Sequence, residues 1–268
     1  MNKFVVISDI HYPYQDEEAI KAFLRFIKHN PVDTVILNGD ILDMYDCSSF
    51  DKNPDRINSL QEELNLATKF FAKLRKILPD AEIVFIRGNH EYRLERYLMK
   101  HPELFSLEAL KLPNLLRLRD YSIGYEPKAF KLGSLKITHG SIVRKFSGYT
   151  AHAELDKNDC SGISGHTHRG GAYFKQTPSR YLAWYEGFCL CDIHPEYVEN
   201  PNWQQGFLYG YTNKDSFAIN PIPIVEGKIK RVWGGSLRGN YLRVVTFKQP
   251  LKPAIINKDL FGDTDTLT

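Results

Sequence analysis

Five short segments of this chain carry residue types that could do chemistry: Asp9-Ile10-His11, Gly39-Asp40-Ile41-Leu42-Asp43, Gly88-Asn89-His90-Glu91, His139-Gly140 and Gly165-His166-Thr167-His168. Each is ordinary by itself. A lone Asp-x-His reads as a loop with a capping residue, and Gly-Asp as a turn in which glycine takes a positive φ. A single histidine is usually a satisfied surface or core side chain. Together the segments supply Asp9, His11, Asp40, Asn89, His139, His166 and His168, flanked by small residues that let backbone approach closely. Hard carboxylate and amide oxygens mixed with imidazole nitrogens suit paired divalent transition metals such as Mn, Fe or Zn. A structural zinc site would use cysteines at tighter spacing.

The elements that must position these groups alternate between strand and helix. Continuous apolar runs at 3–8, 34–37 and 82–86 read as strands buried on both faces. Residues 17–29 and 60–78 have helical periodicity, and Pro79 stops the second helix. This β-α-β-α-β order predicts a parallel sheet flanked by helices, with the polar segments at the strands' carboxyl ends. Residues 92–118 read as a helical insertion. Beyond them a hairpin is expected over 130–138 about Gly133-Ser134, and a helix near 150–157. A short strand at 160–164 leads into Gly165-His166. Further strands are expected around 181–191, 206–212, 216–219, 228–234 and 241–247, with 192–205 as an ordered loop. One domain is expected over 1–247, followed by an aperiodic tail over 248–268.

Composition sets the outer bounds. The 268 residues are 43% hydrophobic and 25% charged, with a net charge of +3. That excludes collagen-like, coiled-coil and fully disordered chains. No run approaches the ~18 consecutive apolar residues of a membrane helix, so no membrane partner is expected. The apolar run after Met1 is too short for a secretion signal. Four cysteines in a chain of this length do not make a disulfide framework. Cys189 and Cys191 would point the same way on a strand and read as buried reduced thiols. A cytoplasmic setting is the expectation.

In order and spacing, the five segments resemble the calcineurin-like metallophosphoesterase superfamily, whose pattern is D-x-H, G-D-x-x-D, G-N-H-[DE], H-G and G-H-x-H. The resemblance spans residues 3–247 and is closest to the short, single-domain bacterial and phage type. It implies an α/β fold in a four-layer α/β/β/α sandwich: two sheets packed face to face, flanked by helices, with two divalent metal ions at the strands' carboxyl edge. Manganese is the first expectation, with iron or zinc as alternatives.

Carried over by position, the resemblance assigns Asp9, His11 and His168 to one metal and Asn89, His139 and His166 to the other, with Asp40 shared. His90 is the non-ligand histidine that serves the leaving oxygen, and Asp43 orients it. The chemistry implied is attack on phosphorus by a hydroxide held between the ions. Glu91 reads as a helix-start residue favoured by the macrodipole. Arg144 and Arg169, then Arg93 and Arg96, are candidates to bind the substrate phosphate, because guanidinium forks match phosphate oxygens. The insertion is expected to roof the site, with Tyr92, Tyr97 and His101 either stacking on bases or forming core.

The expected substrate is a phosphate ester, with DNA, RNA or a nucleotide as candidates and a phosphodiesterase or nuclease as the first reading. A phosphomonoesterase is the alternative, although the protein-phosphatase pattern places arginine after the second aspartate and this chain has Met44-Tyr45. A non-catalytic scaffold on the same fold is the remote third reading.

Overall fold

A computed structural model describes residues 1–52, 59–195 and 201–230. The chain opens with β1 (Asn2–Ile7), α1 (Glu17–His29), β2 (Thr34–Asn38), α2 (Leu60–Ile77) and β3 (Glu82–Ile86). Asp16 starts α1 by accepting the Ala19 backbone N–H at 2.8 Å, and Ser59 caps α2 in the same way through Glu62. The insertion follows as α3 (Glu91–Met99), α4 (Pro102–Phe105) and α5 (Leu112–Leu115), with one 3-10 turn between α4 and α5 and another after α5. Next come β4 (Ile123–Glu126), β5 (Ala129–Leu132), β6 (Leu135–Thr138), α6 (Tyr149–Asn158) and β7 (Gly162–Ser164). The described chain closes with β8 (Gly170–Gln176), β9 (Tyr181–Gly187), β10 (Gln205–Thr212), β11 (Phe217–Val225) and β12 (Lys228–Ile229).

Two mixed sheets result. One has seven strands in the order β12-β11-β10-β1-β2-β3-β4, and the other has five in the order β5-β6-β7-β9-β8. The strands β1 to β4 run parallel, as do β6, β7 and β9, while the remaining pairings are antiparallel. Alternation along β1 explains the layering. Phe4 and Val6 join Ile36, Val84 and Leu208 in a core shared with Ile137, Ile163 and Ala183 of the second sheet. Val5 and Ile7 face the other way, into a core with Phe23 and Phe26 of α1 and Phe70, Phe71 and Leu74 of α2. On the far face of the second sheet, Ala151 and Leu155 of α6 pack on Leu182 and Trp184. The order of layers is helices, sheet, sheet, helix, as the resemblance implies.

Several elements differ from expectation. The strands β4 and β8 were not anticipated: β4 is a short edge strand, and β8 begins with two glycines and is half-exposed along most of its length. Pro221 and Pro223 shorten the apparent strand at 216–219, yet β11 runs to Val225. The expected strand over 181–191 ends at Gly187, because Phe188 takes φ +65° and Cys189 and Cys191 form only isolated bridges. The insertion is less a roof than a wall. Leu94, Leu98, Leu112 and Leu116 join the α1/α2 core and leave beside them a cavity of about 310 Å³. Residues 196–200 of the loop, the strand expected at 241–247 and the tail lie outside the described residues. No helix of the described residues is long and apolar enough to cross a membrane.

Candidate metal centre

The carboxyl ends of the strands in both sheets converge. Asp9 and His11 follow β1, Asp40 follows β2, Asn89 follows β3, His139 follows β6, and His166 and His168 follow β7. Five of these seven, Asp9, His11, Asp40, His166 and His168, hold positive φ values of +51° to +70°. Such backbone is costly for residues with a Cβ, and it persists where surrounding structure fixes it for a purpose. Here the turning chain aims consecutive polar side chains into one space.

In the first group, His168 Nε2 lies 3.2 Å from Asp9 Oδ1 and 3.0 Å from His11 Nε2. The ligand atoms of Asp9, His11 and His168 all lie within 4.8 Å of one another, and so do those of Asp40, His139 and His166. In the second group, His139 Nε2 is 3.1 Å from Asp40 Oδ2 and 3.1 Å from Asn89 Oδ1. Asp40 also faces the first group, with Oδ2 3.9 Å from His11 Nε2. All seven residues singled out in the sequence are therefore brought together, with Asp40 between the two sets.

The electrostatics call for cations. Asp9 and Asp40 are almost wholly buried, which by itself disfavours their charge, yet the surrounding histidines hold both well below the usual carboxylate range. Burial also works against charge on His139, but the Asp40 carboxylate outweighs it and pushes the imidazole up to about 10. Asp9 does the same for His168, pushing it up to about 9 against its burial. Protonated imidazoles thus balance two buried carboxylates, a place that divalent ions fill without protons. His139 is also oriented as a metal ligand should be, with Nδ1 2.7 Å from the Asn38 carbonyl and Nε2 left for an ion. The donor set of carboxylates, imidazoles and one amide oxygen fits the expected divalent transition metals.

His90 stands over this centre. Its Nδ1 lies 2.9 Å from the Asp43 carbonyl and 3.1 Å from the Asp43 carboxylate, and its Nε2 is 3.9 Å from Asp40. Arg93, one helical turn on, donates to the Asp43 carbonyl at 2.8 Å and to His90 Nε2 at 2.9 Å. The other arginines stand differently. Arg169 bonds the carbonyls of Asn202 and Arg144, Arg144 is exposed, and Arg96 is exposed on α3. Arg87 pairs with Glu95 and lies 4.4 Å over the Tyr92 ring. Tyr97 and His101 pack on each other with centroids 4.6 Å apart.

Glu91 starts α3, as the sequence suggests, but its side chain is buried. Its buried carboxylate accepts the backbone N–H groups of Gly88 (2.8 Å), Asp40 (2.9 Å), Ile41 (2.7 Å) and Leu42 (3.0 Å). The glycines permit this closeness: a Cβ on Gly88 would collide with Asp40, and one on Gly39 would stand 2.6 Å from His139 Nδ1. Two further carboxylates were missed. Glu63 accepts the Met44 N–H at 2.7 Å, and Glu186 accepts the Thr167 hydroxyl at 2.9 Å. Each left a signal, because each is a lone acid on an otherwise apolar helix face or strand. Cys191, 3.8 Å from His168 Nδ1, and Trp203, with its ring 4.2 Å from that of His168, complete the surroundings.

The family model of calcineurin-like phosphoesterases matches residues 2–170. The chain belongs to that family. Among curated proteins, this chain is similar to the Gene 54 protein of Mycobacterium phage D29, 30% identical over 255 residues that cover 86% of this chain and 98% of the relative. The Gene 54 protein of Mycobacterium phage L5 is 27% identical, with the same coverages. Among solved structures it is similar to Entamoeba histolytica Vps29 complexed with Zn²⁺, at 17% identity and a TM-score of 0.45, covering 85% of this chain and 96% of that one. Purple acid phosphatase PPD1 from yellow lupin matches at 8% identity and a TM-score of 0.42, covering 85% of this chain and 52% of the other.

Proposed function

We propose that this phosphoesterase is a metal-dependent phosphodiesterase with two divalent ions, manganese first. Asp9, His11 and His168 would hold one ion, Asn89, His139 and His166 the other, and Asp40 would contact both. The ions would supply a nucleophile at neutral pH and neutralise charge developing on the phosphate.

The protein's own groups do the rest. Asp43, whose carbonyl and carboxylate lie 2.9 and 3.1 Å from Nδ1, fixes the His90 ring so that Nε2 would serve the departing oxygen. Arg93 and His90 Nε2 approach within 2.9 Å, so a cationic fork and a proton carrier meet at one point. A phosphate oxygen entering there would accept from the guanidinium in place of Nε2 and leave the imidazole to serve the departing oxygen. Burial of the carboxylates excludes water and strengthens each of these interactions.

The observation that carries the reading is the convergence of seven donors from two sheets beneath a histidine held by Asp43 and Arg93. The preference for a diester is supported by a groove of about 170 Å³ beside Asn89 and His139, lined by Arg87, Tyr92 and Lys128, which offers room for a second substituent. The free cysteines support a reducing, cytoplasmic setting. The test is hydrolysis of bis-p-nitrophenyl phosphate against p-nitrophenyl phosphate, with Mn²⁺ and metal content measured on the same protein. Faster turnover of the diester is expected. Faster turnover of the monoester would replace the reading with a phosphatase, and no turnover by protein holding two ions would favour the scaffold.

A further inference from the structure

The segment between the His139-Gly140 ligand motif and α6 keeps unusual company. Val143, Phe146 and Tyr149 are 53%, 50% and 60% exposed, although exposed aromatic side chains are costly in water. Phe146 and Tyr149 form an edge-on pair with centroids 5.4 Å apart. Such a pair occupies the face of one ring and leaves the face of the other open. Lys145 Nζ stands 5.4 Å over the Phe146 ring, and Arg144 is exposed beside it. No acidic residue occurs from Ser141 to Tyr149.

This surface is fixed in place against the metal centre. Glu186 accepts the N–H groups of Gly148 (2.7 Å) and Ala151 (3.2 Å) with one oxygen and the Thr167 hydroxyl (2.9 Å) with the other. Thr167 lies between His166 and His168, so one buried carboxylate ties the aromatic segment to the ligand loop. Arg169, next to His168, bonds the Arg144 carbonyl, and Arg144 N–H bonds Thr150 Oγ1 at 3.1 Å.

Flat rings, unopposed cations and a fixed position at a phosphoester site together match one class of ligand. We propose that Phe146 and Tyr149, with Arg144, Lys145 and Arg169, form a stacking platform for an unpaired base of single-stranded nucleic acid, whose phosphodiester then lies at the metal centre. The assignment rests on the phosphodiesterase reading above. Bases stack on aromatic rings without regard to sequence, and the cations follow the backbone. A duplex keeps its bases inside and cannot use the platform.

The test is fluorescence anisotropy of a labelled oligothymidylate on the full chain, with Ca²⁺ replacing Mn²⁺ to slow turnover. Phe146→Leu and Tyr149→Leu, which keep apolar bulk but remove the ring, should each weaken binding by roughly tenfold. Tyr149→Phe should bind as the parent protein does, and an equal mass of duplex should compete poorly. Leucine variants that bind normally, or a duplex that competes equally, overturn the platform. If the Mn²⁺-loaded parent protein then still hydrolyses bis-p-nitrophenyl phosphate, the phosphodiesterase reading survives that result. If that protein holds two ions yet leaves the small diester intact, the reading beneath fails and takes the substrate assignment with it.

Discussion

The Glu91 carboxylate accepts the backbone N–H of Asp40 at 2.9 Å, which makes a residue of the third motif the support of the second. The same carboxylate holds Gly88, Ile41 and Leu42, so two loops from different strands share one buried anchor. Glu91→Gln should lower urea stability by about 2 kcal/mol, because an amide group replaces an acceptor among four donors. It should also lower metal content. An unchanged urea midpoint with two ions retained would show that Glu91 does not hold these loops.

Asp40→Asn should abolish turnover and weaken at least one ion, since Asp40 Oδ2 lies 3.1 Å from His139 and 3.9 Å from His11. Elemental analysis and diester hydrolysis on one preparation decide it. Full activity with two bound ions would refute the placement of Asp40 between two metals.

His90→Asn should keep both ions and lose rate by roughly 10²–10⁴-fold, the range for a proton-transferring group. Arg93→Lys keeps the charge but not the fork, so it should raise KM more than it lowers kcat. Loss of metal from His90→Asn would instead move this histidine among the ligands.

Glu63 gives a pH dependence of stability. Burial pushes its carboxyl up to about 8 in the folded chain, against an ordinary value of 4.5. The folded state therefore keeps a proton that the unfolded state loses, and stability from this group is full below pH 4.5 and drains away as pH rises toward 8. The slope is on the order of 1.4 kcal/mol per pH unit at most. Glu63→Gln retains an acceptor for the Met44 N–H without titrating, so its urea midpoint should vary less between pH 5 and pH 8. Parallel curves for the two proteins would show that Glu63 does not titrate in this window.

Much of the site was legible because strand ends and ligand types are local properties: β1, β2 and β3 read as apolar runs, and the motifs follow them directly. The partnership of His139 with Asn89 came from the family resemblance and not from local pattern, and that of Arg93 with His90 was not legible. His139 comes from another sheet, and Arg93 depends on where a helix happens to start. Glu91, Glu63 and Glu186 were harder still. An acid is counted as a surface residue unless the backbone donors that it will meet are known, and those donors come from distant loops. The strand β11 runs past the expected 216–219 and through Pro221 and Pro223, since its pairing with β10 is set by the neighbouring strand more than by its own propensities.

The candidate ligands are divided between the two sheets: Asp9, His11, Asp40 and Asn89 leave the first, while His139, His166 and His168 leave the second. Between the sheets the contact is otherwise an apolar interface of residues such as Phe4, Val6, Ile137 and Ile163, which resists separation but has little to oppose sliding. An ion shared by Asp9 and His168 would act as a rivet through that interface. Metal loading would then govern mechanics as well as chemistry, slowing amide exchange in the short strand β7 and the neighbouring end of β6, which lead directly into the candidate ligands.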